Sequence, residues 1–160
     1  NKEALFEQVL TNYHTAHQTA LQSAFSDGGT KRERLHKVID AYLNFICENR
    51  RYPTLVQGLL TASNDRSAFV KRGLEPLQTW IEEALSDDIP NMGPTSARHF
   101  FITVTGAVMN YFTYGPALSD AWAEDMLGES GIQERREHLH WLVDTLLDNL
   151  EASHSVEKPN

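Results

Sequence analysis

Apolar residues return every three or four positions along almost the whole of this 160-residue chain, and Gly, Pro and capping residues interrupt them at intervals. That period belongs to α-helices with one buried face, and it leaves little room for strands, which alternate by two. The first run, Phe6, Leu10, Tyr13, His17, Ala20 and Ala24, follows Asn1, a good N-cap, and stops at Asp27-Gly28-Gly29. Thr30 and Glu33 form a capping box that opens a second helix with the stripe Leu35, Val38, Ile39, Tyr42, Leu43 and Ile46. That helix is expected to stop before Pro53, whose ring disfavours α conformation at Tyr52, and Pro53 suits the first turn of a short third helix with Leu55, Val56, Leu59 and Leu60. Asn64 and Asp65 supply an end and a new cap for a fourth helix through Phe69, Val70, Leu74, Leu77, Ile81 and Leu85, with a kink expected at Pro76.

Asp87 to Thr95 reads as a loop, with Pro90, Gly93 and Pro94. Phe100 to Val104 would suit a strand by propensity, but Ala97, Phe101, Val104, Val108, Tyr111 and Phe112 repeat at helical spacing from Ser96 to Tyr114. Gly115-Pro116 is expected to stop that helix, with a separate helical turn from Ser119 to Met126. Ser130 and Gln133 read as a second capping box, opening a last helix with Leu139, Leu142, Val143, Leu146, Leu147 and Leu150. The expectation is an all-α bundle of about six to seven helices. It forms one domain over residues 1–152, with a polar tail at 153–160.

Composition narrows the function. Fourteen basic against 22 acidic side chains give a net charge of −8, which argues against this polypeptide alone holding DNA or RNA. Cys47 is the only cysteine, so no intrachain disulfide is possible. Arg50 and Arg51 favour its thiolate a little, but no His stands nearby in sequence as a base, so it reads as inert. No apolar run approaches the ~20 residues of a membrane-spanning helix. The first residue is Asn1 rather than Met, so the chain reads as a processed or excised part of something longer.

Little catalytic chemistry is visible. Glu33 with His36, and Glu137 with His140, fit the Glu-x-x-His pattern of di-iron carboxylate bundles. Both glutamates fall about 160° around the helix from the apolar stripe, with His36 and His140 only on its flank, and Glu33 is already a capping residue, so the pairs read as parts of solvated helix faces. No nucleophile turn, phosphate-cradling glycine loop or HExxH helix occurs. No enzyme activity, metal or cofactor is expected.

Two helices carry a second apolar face. Ile102, Gly106 and Met109 lie opposite the main stripe of the fifth run, and Trp141 lies opposite that of the last. An aromatic on a second face suggests an interface, so these four are the candidate homodimer residues. The plainer alternative has Trp141 lying over its own helix or under the tail. Aromatics with polar tips, together with His14 and His17 at i, i+3, are suited to enclosing an apolar pocket with a few polar groups. His14, His17, Tyr42, Trp80, Phe101 and Tyr111 are the candidate lining, for a small apolar or aromatic ligand.

The opening Asn1-Lys2-Glu3-Ala4-Leu5-Phe6 resembles the junction in TetR-family transcriptional regulators where the DNA-reading helix-turn-helix passes into the first long helix of the regulatory domain. Leu43 to Asn49, before a Pro-started helix, and Glu134 to Leu139, leading into Leu146-Leu147, are looser similarities. The resemblance implies a cytoplasmic homodimer built from the last two long helices. It also implies a ligand pocket inside the earlier helices, and repression of DNA that is relieved when the pocket fills. DNA would be touched only through the helix-turn-helix, which is missing from this chain. Two rival readings are a helical di-metal carboxylate oxidase and a helical adaptor without a pocket.

Overall fold

A computed structural model describes residues 1–61, 65–87 and 89–156, and every regular element among them is a helix. The order is α1 (Lys2–Ser26), α2 (Lys31–Glu48), α3 (Tyr52–Thr61), α4 (Asp65–Ala84), α5 (Ala97–Trp122) and α6 (Glu129–Val156). The Asn1 side chain accepts from the Ala4 N–H, and Thr30 and Glu33 cap α2 reciprocally, so both local signals act where the sequence puts them. Asn64 lies outside the described residues. The loop after α4 is pinned by Leu85 and Ile89, both buried.

Helices α1 and α2 pack along each other, α4 leans on α1, α3 and α5, and α6 lies against α2 and α5. The centre is filled by the stripes read above: Leu10, Leu43, Ile46, Val70, Val108, Leu139 and Val143 have essentially no exposed surface. No helix among the described residues is long and apolar enough to cross a membrane.

Three boundaries differ from the sequence reading. Gly115-Pro116 does not end α5, which continues to Trp122 and absorbs most of the turn expected from Ser119 to Met126, so the bundle has six helices. Pro116 forfeits one backbone bond, but Gly115 is buried, with Leu127 and Met126 so close that a Cβ there would meet them at 3.5 to 3.6 Å, and this packing holds the helix through the proline. The stop comes at Ala123, in the left-handed region at φ 53°, whose N–H bonds the Ser119 carbonyl. Ser130 and Gln133 form no capping box. Ile132 N–H bonds the Gly128 carbonyl, α6 already begins at Glu129, and Gln133 donates to Glu137. At the other end α6 continues to Val156, into the segment read as a tail.

The seam between α2 and α6 corrects another expectation. His36 and His140 are not on solvated faces. Their rings stack 4.1 Å apart and 5° from parallel, each about a quarter exposed. His36 Nε2 meets Asp144 at 2.8 Å and His140 Nε2 meets Asp40 at 2.9 Å. Arg32 donates to Asp144 and Asp148, and Arg136 donates to Asp40 and Asn44. The helices run antiparallel, so Arg, His and Asp spaced by four on each one meet their complements on the other. Desolvation pushes the Asp144 carboxyl up, but hydrogen bonds from Arg32 and His36 outweigh it and hold the carboxyl below the usual range.

Candidate functional site

The sequence-derived candidates converge mostly where α1 to α5 surround one hollow. Helix α1 carries His14 and His17 inward, and His17 is 4% exposed. Its ring stacks on Tyr42 at 4.6 Å and on Phe45 at 4.7 Å, both from α2, and meets Tyr52 of α3 edge-on at 6.3 Å. Tyr13, Phe45 and Tyr52 close the aromatic cluster. Burial is the main force on these groups. It lowers the His17 pKa from 6.5 to about 4, with His14 nearby adding to the effect. It also pushes the Tyr52 phenol up to about 12 and the Tyr42 phenol higher still, and it lowers His14. Nε2 of both histidines is buried without a hydrogen-bond partner among the described residues.

Next to this cluster lies a cavity of about 210 Å³ between α3, α4 and α5. His17, Tyr42 and Tyr52 stand among its walls with Val56, Leu74, Leu77 and Phe101. Leu60 and Ile102, 43% and 65% exposed, mark its mouth. A smaller chamber of about 50 Å³ shares Tyr42, Leu77, Phe101 and Thr105 with it, and Trp80 lines that chamber edge-on to Phe25. Among the described residues no Lys, Arg, Asp or Glu lines either space. Two wider hollows, of about 560 and about 850 Å³, lie around the start of α6. They are open clefts lined by charged groups such as Glu124, Glu134, Arg50 and Arg136, and they lack the apolar enclosure of a ligand pocket.

Of the six candidate lining residues, His17, Tyr42, Trp80 and Phe101 are therefore brought together. His14 sits one turn behind, stacked on Phe69 and edge-on to Tyr52, with its ring in the space that a Cβ at Gly73 of α4 would occupy. Tyr111 belongs elsewhere. Its hydroxyl lies 2.7 Å from the Met126 carbonyl and 3.0 Å from that of Gly131, and the Arg135 guanidinium covers its ring, so it ties α5 to the start of α6. Tyr52 was missed because, standing before Pro53, it read only as a helix break. It is instead the first residue of α3 and is buried.

The candidate interface residues also separate. Ile102, Gly106 and Met109 rim the cavity, and a Cβ at Gly106 would meet only Asn110 Nδ2, at 4.0 Å, so nothing inside the chain requires glycine there. Trp141 is 60% exposed on α6 against His138, and Tyr114 and Trp122 of α5 are similarly exposed. Cys47 is half-buried, and desolvation raises its thiol pKa against the opposing pull of Arg50 and Arg136, so it is poorly disposed to act as a nucleophile. Among the described residues no group of three or more His, Cys, Asp or Glu side chains is placed to hold a metal ion. The Glu33 carboxylate caps Thr30 and that of Glu137 accepts from Gln133. No protein-family model, curated protein or solved structure matches this chain.

Proposed function

We propose that this chain is the ligand-sensing and dimerisation domain of a TetR-type transcriptional repressor, with a small apolar or aromatic molecule as its signal. The observation that carries the reading is the cavity beside His17. It is mainly apolar, without charged lining among the described residues, and bounded by the long first helix as well as by α2 to α5. In the family that the opening residues resemble, that first helix leads to the DNA-reading head. A ligand that favours one packing of α1 against α2 and α4 would shift the population of head arrangements. The exposed aromatics Tyr114, Trp122 and Trp141 stand on α5 and α6, the two helices that the resemblance gives to the dimer, and support self-association because Tyr and Trp are enriched at interfaces. DNA contact is left to a helix-turn-helix outside these residues, and no catalytic step is assigned.

A thermal-shift screen of the purified chain against diverse apolar, aromatic and cationic compounds tests the sensing half. A ligand at 100 times its Kd adds about 2.7 kcal/mol. That raises the melting temperature by about 5 to 11 °C for a chain of this size. Absence of any stabilising compound would overturn the reading in favour of an adaptor without a pocket.

A further inference from the structure

This inference rests on the sensing reading and names the class of molecule sensed. The cavity sorts ligands by three properties of its walls. The first is charge. Among the described residues no ionised side chain lines it, so a bound carboxylate or ammonium would lose its hydration without gaining a counter-ion there. The second is size. A cavity of about 150 Å³ accommodates benzene. The space here is about 210 Å³, with a small chamber beyond it, and this suits a two-ring molecule. The third is unspent hydrogen-bonding capacity at one end. Gln57 and Asn110 bond to each other at 3.0 Å, and the Thr105 hydroxyl bonds its own helix at Phe101. Tyr42 and Tyr52 both stand in the wall with phenol groups able to donate and accept, near enough for one to affect the other electrostatically. Both residues are almost wholly buried, and His17 Nε2, from the same wall, is buried without a hydrogen-bond partner among the described residues.

We propose that the cavity takes an uncharged two-ring aromatic molecule bearing one hydroxyl or carbonyl oxygen, which the Tyr42 and Tyr52 hydroxyls hold while the rings pack on Leu74, Leu77 and Phe101. His17 backs the polar end through its stack on Tyr42. The oxygen satisfies the two phenols, and the rings replace empty space between α3, α4 and α5.

The test is isothermal titration calorimetry of the whole chain near neutral pH with 1-naphthol, naphthalene and 1-naphthoate. 1-Naphthol is expected to bind about tenfold more tightly than naphthalene, and 1-naphthoate at least about tenfold more weakly than 1-naphthol. In Tyr42→Phe/Tyr52→Phe the advantage of naphthol over naphthalene is expected to vanish while naphthalene binding is kept, which also shows that the cavity is intact. If the double variant fails to fold by circular dichroism, Tyr52→Phe alone should reduce that advantage. Equal binding of naphthol and naphthalene by the unmodified chain, preference for the naphthoate, or binding of none of the three would overturn the assignment. If none binds but another compound stabilises the chain in the thermal-shift screen, this ligand class is wrong and sensing stands. If nothing stabilises it, sensing falls as well.

Discussion

His17→Phe separates the chemistry of the buried imidazole from its packing. The replacement keeps a flat ring against Tyr42 and Phe45 and removes both nitrogens. In the native chain Nε2 is buried without a partner among the described residues, an arrangement that costs about 1 to 3 kcal/mol per unsatisfied group. At neutral pH the variant is therefore expected to be at least as stable as the parent. Acidification should then divide them. The His17 pKa falls from 6.5 to about 4 on folding, so below 6.5 the unfolded chain binds the proton more readily. Stability is fully present above that value and is lost as the pH falls towards 4. At ~1.36 kcal/mol per pH unit, the gap amounts to about 3 kcal/mol. For a chain of this size that is a drop of about 6 to 12 °C in melting temperature. Urea unfolding followed by circular dichroism, from about pH 7.5 to about pH 4.5, measures it in both proteins. His14, also lowered by burial and close to His17, titrates in both, so the difference between the curves belongs to His17 and its coupling to His14. Parallel curves, with the variant losing as much as the parent, would refute the reasoning.

Gly73→Ala should destabilise the fold by about 1 to 3 kcal/mol, because its Cβ would overlap the His14 ring, which Tyr52 and Phe69 hold in place. Adding His14→Ala should remove most of the extra penalty of Gly73→Ala, and a double-mutant cycle by chemical denaturation reads this coupling. Arg136→Ala removes the donors to Asp40 and Asn44 at the partly exposed seam. The expected loss is about 1 kcal/mol at low salt, shrinking in ~1 M salt; a loss independent of ionic strength would contradict an electrostatic seam.

The helices, most of the core and the Thr30 cap were legible because they depend on residues three and four apart. What could not be read depends on contacts between elements. Gly115-Pro116 carries a stop signal, and only the packing of Gly115 against Met126 and Leu127 overrides it. The same holds for His36 and His140. Their spacing from Arg and Asp was visible in each helix, but the facing register of α2 and α6 that stacks them was not. In the cavity, His17 and Tyr42 were found because they fall on apolar stripes with polar tips. Tyr52 was hidden by its proline neighbour, and Tyr111 has the same residue chemistry but turns to another face of α5, towards the start of α6.

Native mass spectrometry of the purified chain with a neutral aromatic such as 1-naphthol tests the central claim most directly, because one spectrum reports both self-association and ligand uptake. The account predicts a dimer carrying two ligand molecules, and loss of the adducts, with the dimer retained, when Leu74→Trp fills the cavity. A monomer without adducts, across the compounds that the thermal-shift screen covers, would contradict it.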